Sequence, residues 1–375
     1  MSLRLCVSAV MTMPGNDIEQ LVQHWVRPEI QALQAYHVPD ASGLIKLDAM
    51  ENPYTWPDSL KDDWLALLRG TDVNRYPDPH ASALRERLHA VLRLPPQTEL
   101  LLGNGSDELI QMICMALAGP GRSVLSVEPS FVMYRMIATF CAMRYVGVPL
   151  RAEDFSLDLD AVLEAIAVTE PAVVFLAYPN NPTGNLFERA ALDAIIEAAP
   201  GLVVIDEAYA PFTDQSFVEE LSRYPNLLVM HTLSKTGLAG LRLGMLAGPA
   251  AWLNEFDKVR LPYNINVLTQ ASAEFALRHR DLFDEQTTAI RAERSRLADA
   301  LAAMPGLRVF PSEANFILVR VPAGRAGELF DGLKAGGVLV KRLDGSHPLL
   351  ADTLRLTVGT PDENNALLGA LMRVL

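Results

Sequence analysis

Cysteine is scarce in this 375-residue chain, at Cys6, Cys114 and Cys141 only. Their spacing fits neither a disulfide framework nor a metal-binding set, so a stapled secreted scaffold and a zinc module are excluded and a reducing compartment is expected. Positive charge is in deficit as well. Against 45 Asp and Glu there are 32 Lys and Arg, a net charge of −13, which argues against nucleic acid or an anionic membrane as the main partner. No apolar run approaches the ~20 residues that span a bilayer. Residues 1–10 lack the apolar segment and cleavage site of a signal peptide. The expected location is the cytoplasm, with residues 1–16 disordered or vector-derived. No repeat or low-complexity tract is visible.

What the chain does have is half its residues hydrophobic, enough for a sizeable core in one large and one smaller domain. From about residue 98 short apolar runs alternate with amphipathic stretches. The runs at 99–102, 123–127, 144–148, 172–177, 202–206, 227–231 and 244–248 read as strands, and 107–118, 159–167 and 188–199 read as helices. Near-continuous apolar strands alternating with helices predict a seven-stranded, mainly parallel sheet covered on both faces. The short span from 227 to 248 leaves no room for a crossover helix, so the last strand is expected to be antiparallel. After Pro262 a long helical stretch, 267–304, leads to strands at 308–310, 314–319, 338–341 and 353–357 around a helix at 326–335. This predicts a large domain over 70–266, a smaller α+β domain over 267–375, and a segment over 17–69 packed on the smaller domain.

Four segments carry chemistry. Gly103-Asn104-Gly105-Ser106-Asp107-Glu108 follows a strand and opens a helix, so its amides and the positive helix end can cradle an anion. Taken alone it reads more readily as an ordinary glycine turn with Ser106 as N-cap. Tyr178-Pro179-Asn180-Asn181-Pro182-Thr183-Gly184 is a proline-fixed loop at another strand end that can project the Asn181 amide. Asp206 ends a buried strand, where ligands bind in open parallel sheets, with Tyr209 three residues on. Thr232-Leu233-Ser234-Lys235 follows the next strand and leads to Arg242. An amine, a ring-nitrogen partner, and hydroxyls with a cation for a phosphate are what a pyridoxal phosphate (PLP) site needs.

In this order the segments resemble the fold type I PLP aminotransferases, over nearly the whole chain from about residue 17. Leu47-Asp48-Ala49-Met50-Glu51-Asn52-Pro53-Tyr54, Asn74-Arg75-Tyr76-Pro77 and Leu354-Arg355-Leu356-Thr357-Val358-Gly359 are most similar to the histidinol-phosphate aminotransferase group. The resemblance implies that Lys235 is the Schiff-base lysine and proton carrier, and that Asp206 pairs with the ring nitrogen. Asn181 and Tyr209 would bond the ring oxygen, and Phe131 would stack on the ring. Gly105, Ser106, Asp107, Thr232, Ser234 and Arg242 would hold the phosphate. Tyr76 would reach the cofactor phosphate of a neighbouring subunit, implying a homodimer with shared sites. Asn52, Tyr54, Lys341 and Arg355 would meet the substrate, Arg355 taking the phosphate of histidinol phosphate or a carboxylate of glutamate. The implied reaction moves an amino group from L-histidinol phosphate to 2-oxoglutarate, in histidine biosynthesis, with no metal.

Three positions depart from the family pattern. Arg242 follows Lys235 one residue sooner than in many relatives, Phe131 stands where tyrosine is frequent, and Lys341 stands where a second arginine is usual. Arg342 could replace that arginine, although strand neighbours point to opposite faces and only one of the two can enter the site. An aromatic or broad-range aminotransferase and a threonine-phosphate decarboxylase-like lyase are the rival readings.

Overall fold

The computed structural model describes residues 18–35 and 38–375; Cys6 and the expectation for residues 1–16 lie outside the described residues. The chain divides after Asp40 into two units. In the first, α1 (Ile18–Trp25) is followed by the single turn α2 (Pro28–Gln31), which starts with proline at its first position. There the missing N–H is one that has no helical partner in any case. The Gln31 side chain ties the two together by donating to the Val26 and Gln23 carbonyls.

The second unit begins with β1 (Ile45–Leu47), α3 (Asp58–Arg69) and α4 (Ser82–Val91). It then alternates through β2 (Thr98–Asn104), α5 (Ser106–Leu117), β3 (Ser123–Glu128), α6 (Val132–Phe140), β4 (Arg144–Pro149), α7 (Leu159–Thr169), β5 (Val173–Ala177), α8 (Arg189–Ala198), β6 (Leu202–Asp206), β7 (Leu227–Thr232) and β8 (Leu243–Pro249). The seven strands β2 to β8 form one sheet in the order β2-β8-β7-β6-β5-β3-β4. Only β8 runs against its neighbours β2 and β7, as its short connection to β7 requires. β5, β6 and β7 are buried at every residue. Their Val, Leu, Ile and Phe side chains feed separate apolar clusters on the two faces of the sheet, the composition a parallel sheet buried on both sides needs.

The remaining elements are α9 (Ala250–Asp257), α10 (Val267–Arg278), α11 (Arg280–Ala302), β9 (Arg308–Val309), β10 (Phe316–Arg320), α12 (Ala326–Ala335), β11 (Val338–Arg342), β12 (Thr353–Thr357) and α13 (Pro361–Val374). The stretch expected as one helix from 267 to 304 is thus two. The backbone of His279 (φ −109°, ψ 33°) leaves the helical region, its N–H bonds to Ala276 O, and its ring packs on Phe275. Helical apolar spacing continues on both sides, so periodicity alone could not mark a break that lacks Gly and Pro.

A second sheet has the order β1-β11-β12-β10-β9. β1 joins it from far upstream by pairing parallel to β11, Leu47 opposite Val340. α3 rests on α10, where Trp64 Nε1 donates to Ser272 Oγ (2.8 Å), and Trp56, just before α3, packs against Phe275 of α10 and Phe283 of α11. The core of this smaller sheet also takes in Tyr209 and Phe212 from the loop after β6. One short loop of the large sheet is therefore clamped by the small one, and that loop carries part of the site.

Candidate active site

The ends of β2, β5, β6 and β7 meet over a cleft of roughly 560 Å³, open mouth included, within the range that small ligands fill. Its lining includes Met50, Ser106, Asp107, Phe131, Asn181, Asp206, Tyr209, Thr232, Ser234, Lys235 and Arg242. Ten of the positions predicted from sequence therefore converge, drawn from segments more than a hundred residues apart. Met50 was not anticipated; its positive φ of 55° turns it into the cleft, where its sulfur lies 3.1 Å from Tyr209 Oη.

One end of the cleft is suited to an anion. β2 delivers the chain to Gly105, which holds the N-cap position of α5 at φ 80°, so Ser106 is the first helical residue. The first amides of α5 have no helical acceptor and face outward with the positive end of the helix dipole. A Cβ at Gly105 would strike the Arg242 guanidinium, and one at Gly244 would meet the Gly105 carbonyl carbon at 2.5 Å. Both positions must be glycine for β8 and Arg242 to close on this loop. Despite the shortened spacing, Arg242 sits here, its Nη2 3.3 Å from Asp107 Oδ2. Thr232 Oγ1 accepts from Ser234 N (3.1 Å) and lies 2.9 Å from Ser234 Oγ. Asp107 Oδ1 is buried with no hydrogen-bond partner, a polar position left for a ligand or its water.

At the other end Asp206 is 3% exposed. Ala208 N donates to its Oδ1 (3.1 Å) and Tyr134 Oη to its Oδ2 (2.6 Å). Burial pushes this carboxyl up to about 6, against the pull of those two hydrogen bonds. A cationic ring N–H would remove the reason for that rise. Sequence reasoning missed Tyr134, although its place one helical turn after Phe131 was a usable signal. The two aromatic rings meet edge to face at 5.5 Å.

Lys235 lies in the short turn after β7, its Nζ 3.4 Å from Ala49 O and 5.7 Å from the centre of the Tyr209 ring. Burial, and then the charge of Arg355, lower its ammonium to about 8. A sizeable fraction is thus neutral amine, and nucleophilic, near neutral pH.

The two sheets are joined at the cleft. Arg355 on β12 donates through Nη1 to Asn181 Oδ1 (2.7 Å) and through Nη2 to Asp48 O (2.9 Å). Asn181 Nδ2 donates in turn to Tyr209 Oη (3.1 Å). The amide is thereby fixed with its NH₂ toward the tyrosine. Asn52 donates to Thr236 O (3.2 Å) and Gln286 Oε1 (3.0 Å), while its Oδ1 accepts from Tyr54 N (2.8 Å). Asn52 thus braces the lysine turn rather than lining the cleft, and Tyr54 is half-buried beside it. Lys341 pairs directly across the ladder from Arg355, so the two share a face of the small sheet. Arg342 is on the opposite face, its Nη2 3.5 Å from Asp344. Tyr76 is not brought into the cleft of its own chain: it is 79% exposed and stacks on Tyr263 at 4.4 Å.

An amine, a buried acid, an anion cradle and a hydrogen-bonding Asn–Tyr pair around one cleft define a group-transfer site built for a phosphorylated cofactor. The chain belongs to the aminotransferase class I and II family, whose sequence model matches residues 42–371. It is 59% identical to histidinol-phosphate aminotransferase 2 of Nitrosococcus oceani, over 93% of this chain and 97% of that one. To histidinol-phosphate aminotransferase of Chromobacterium violaceum it is 56% identical, over 94% and 98%. Among solved structures, histidinol-phosphate aminotransferase of Sinorhizobium meliloti in complex with pyridoxal-5′-phosphate superposes with a TM-score of 0.82 at 26% identity, covering 92% of this chain and 96% of that one. Among the described residues no helix is long and apolar enough to cross a membrane, and no group of three or more His, Cys, Asp or Glu could hold a metal.

Proposed function

We propose that this chain moves an amino group from L-histidinol phosphate to 2-oxoglutarate with pyridoxal phosphate held in the cleft. The observation that carries the reading is the convergence of Lys235, Asp206 and the Gly105–Arg242 cradle, in a chain more than half identical to histidinol-phosphate aminotransferases. Pyridoxal phosphate, when bound, supplies an aldehyde for amine exchange and a ring that withdraws the electron pair left on a substrate carbon.

The protein's part is binding, orientation and proton handling. The amides of Ser106 and Asp107, the hydroxyls of Thr232 and Ser234, and Arg242 hold the phosphate. Phe131 covers a ring face, Asn181 and Tyr209 bond the ring oxygen, and Asp206 partners the ring nitrogen. Lys235 Nζ, poised near 8, carries the cofactor. As a free amine, Lys235 Nζ would take the proton from the substrate Cα and deliver it to the cofactor carbon that keeps the amino group, a role worth on the order of 10²–10⁴ in rate. Arg355 and Lys341 stand opposite each other across β11 and β12, two cations suited to receive an anion. The phosphate or carboxylate of the two successive substrates is that anion, and Tyr54 completes the pocket. Exposed Tyr76 suits a homodimer in which it serves the neighbouring subunit's cofactor, and we place the reaction in histidine biosynthesis in the cytoplasm.

The test mixes the pyridoxal phosphate-loaded protein with L-histidinol phosphate, follows the cofactor's visible absorbance, then adds 2-oxoglutarate. Loss followed by recovery supports both halves of the reaction. Response to phenylalanine or tyrosine alone discards the substrate, and carbon dioxide release from O-phosphothreonine without an acceptor favours the lyase reading.

A further inference from the structure

We propose that Tyr134 is a positioning residue that sets where the proton resides between Asp206 and the cofactor's ring nitrogen; the inference rests on the pyridoxal phosphate reading above. The geometry is specific. Tyr134 follows Phe131 by one turn at the start of α6, so a single helix start sends one ring to the cleft and the other beneath it. The Tyr134 ring is fully buried, stacked on Phe175 at 5.0 Å and 10°. Its hydroxyl meets Asp206 Oδ2 at 2.6 Å, the short distance of a bond to a charged acceptor.

Burial far from water, with the Asp206 charge beside it, holds the phenol well above the ordinary tyrosine value. It is therefore a donor at every working pH and never a competing base. Each hydrogen bond given to the carboxylate lowers its proton affinity. A proton shared between Asp206 and a pyridine nitrogen stays on the nitrogen only while the carboxylate is the weaker base. Burial works the other way, raising Asp206. Tyr134 Oη and Ala208 N are the two hydrogen-bond donors that oppose it, with a lesser pull from the Lys235 charge, and Tyr134 is the donor that a side-chain change can remove.

Tyr134→Phe deletes the hydroxyl and keeps the ring stack. In the unloaded protein, NMR of isotope-labelled aspartate should show Asp206 titrating higher than in the parent, a result that does not depend on the cofactor reading. In the loaded protein, the nitrogen shift of ring-labelled pyridoxal phosphate should move toward that of a neutral pyridine. With histidinol phosphate, kcat should fall about tenfold to a hundredfold while KM changes less than about threefold. Phe175→Leu loosens the same stack but keeps the hydroxyl, and should leave both NMR readings at their parent values. An unmoved Asp206 titration in Tyr134→Phe overturns the proposal, as does an equal shift in Phe175→Leu. A higher Asp206 titration in a protein that fails to bind pyridoxal phosphate keeps the Tyr134–Asp206 link and sinks the cofactor reading instead.

Discussion

Glu207, next to Asp206 in sequence, is predicted to make the protein less stable as pH rises, and Glu207→Gln should abolish that loss. Its side chain is inaccessible to solvent. Oε1 accepts from Phe217 N (2.5 Å) and Oε2 from the Ser216 hydroxyl (2.8 Å), which pins the loop that carries Tyr209. Among the described residues no cation pairs with it directly, the charge of Arg189 offsetting only part of the burial: His231 Nε2 is 3.5 Å away, and burial lowers that imidazole to about 4, so it is neutral at working pH. Burial accordingly raises Glu207 to about 7 from an ordinary 4.5. Between those values the native protein binds a proton that the unfolded chain has released, so this contribution is full below about 4.5 and is lost as pH rises to about 7. The total is roughly 3 kcal/mol. Glutamine keeps an acceptor for Phe217 N, can donate to Ser216 Oγ, and never ionises. Urea unfolding of unloaded parent and variant at pH 5 and pH 8 should show the difference shifting by about 2 to 3 kcal/mol in favour of the variant at the higher pH. The His231 contribution, lost as pH falls from about 6.5 toward about 4, is common to both proteins and drops out. A difference that is flat with pH, or that favours the parent at pH 8, would mean that a Glu207 carboxylate and a His231 imidazolium form a buried ion pair, and the reasoning would fail.

Two further outcomes follow from the cleft. Gly105→Ala combines a positive φ with a Cβ in the Arg242 guanidinium; it should cost about 1–2 kcal/mol in unfolding and weaken pyridoxal phosphate binding at least about tenfold, with unchanged binding in a spectroscopic titration counting against the anion cradle. Arg355→Leu removes a cation that holds Lys235 down, so the pH midpoint for attachment of pyridoxal phosphate to the unloaded protein should move upward from about 8, whereas Arg355→Lys should keep most of the parent midpoint; a midpoint unmoved in Arg355→Leu would refute a role for the Arg355 charge and leave the depression to burial and Arg242.

The large sheet was legible because its strands are nearly pure apolar runs, and its reversed strand because the 22 residues from Leu227 to Gly248 cannot hold two strands and a crossover. The helices α6, α9 and α13 were not. Only three residues separate β3 from α6, which starts without a side-chain cap, and its apolar spacing blends into the run before it. β1 was invisible for another reason: three residues cannot show a period, and their partner β11 is about 290 residues away. The cofactor-facing residues were legible as types at strand ends, since the chemistry restricts which side chains serve. Contacts that cross between the sheets, such as Arg355 with Asn181, have no local signature.

Two pairs of neighbours make the same point about what pairing adds. Asp206-Glu207 and Lys341-Arg342 each offer two side chains of one charge sign at a strand end, and alternation allows only one of each to take a given face. The ladder decides. Lys341 stands opposite Arg355, while Arg342 stands opposite Leu354 and faces α12, close enough that a Cβ on Gly327 would lie 3.1 Å from its Nη1. Asp206 lines the cleft and Glu207 lines the cavity on the other side of β6 and β7. The excluded members serve the scaffold: Arg342 meets Asp344, and Glu207 holds the backbone at Phe217. A charge pair in sequence therefore divides between the two faces of its strand, and only the pairing partner across the ladder tells which member takes which face. For that reason the substrate pocket should respond to Lys341 in KM, and Arg342 only in stability.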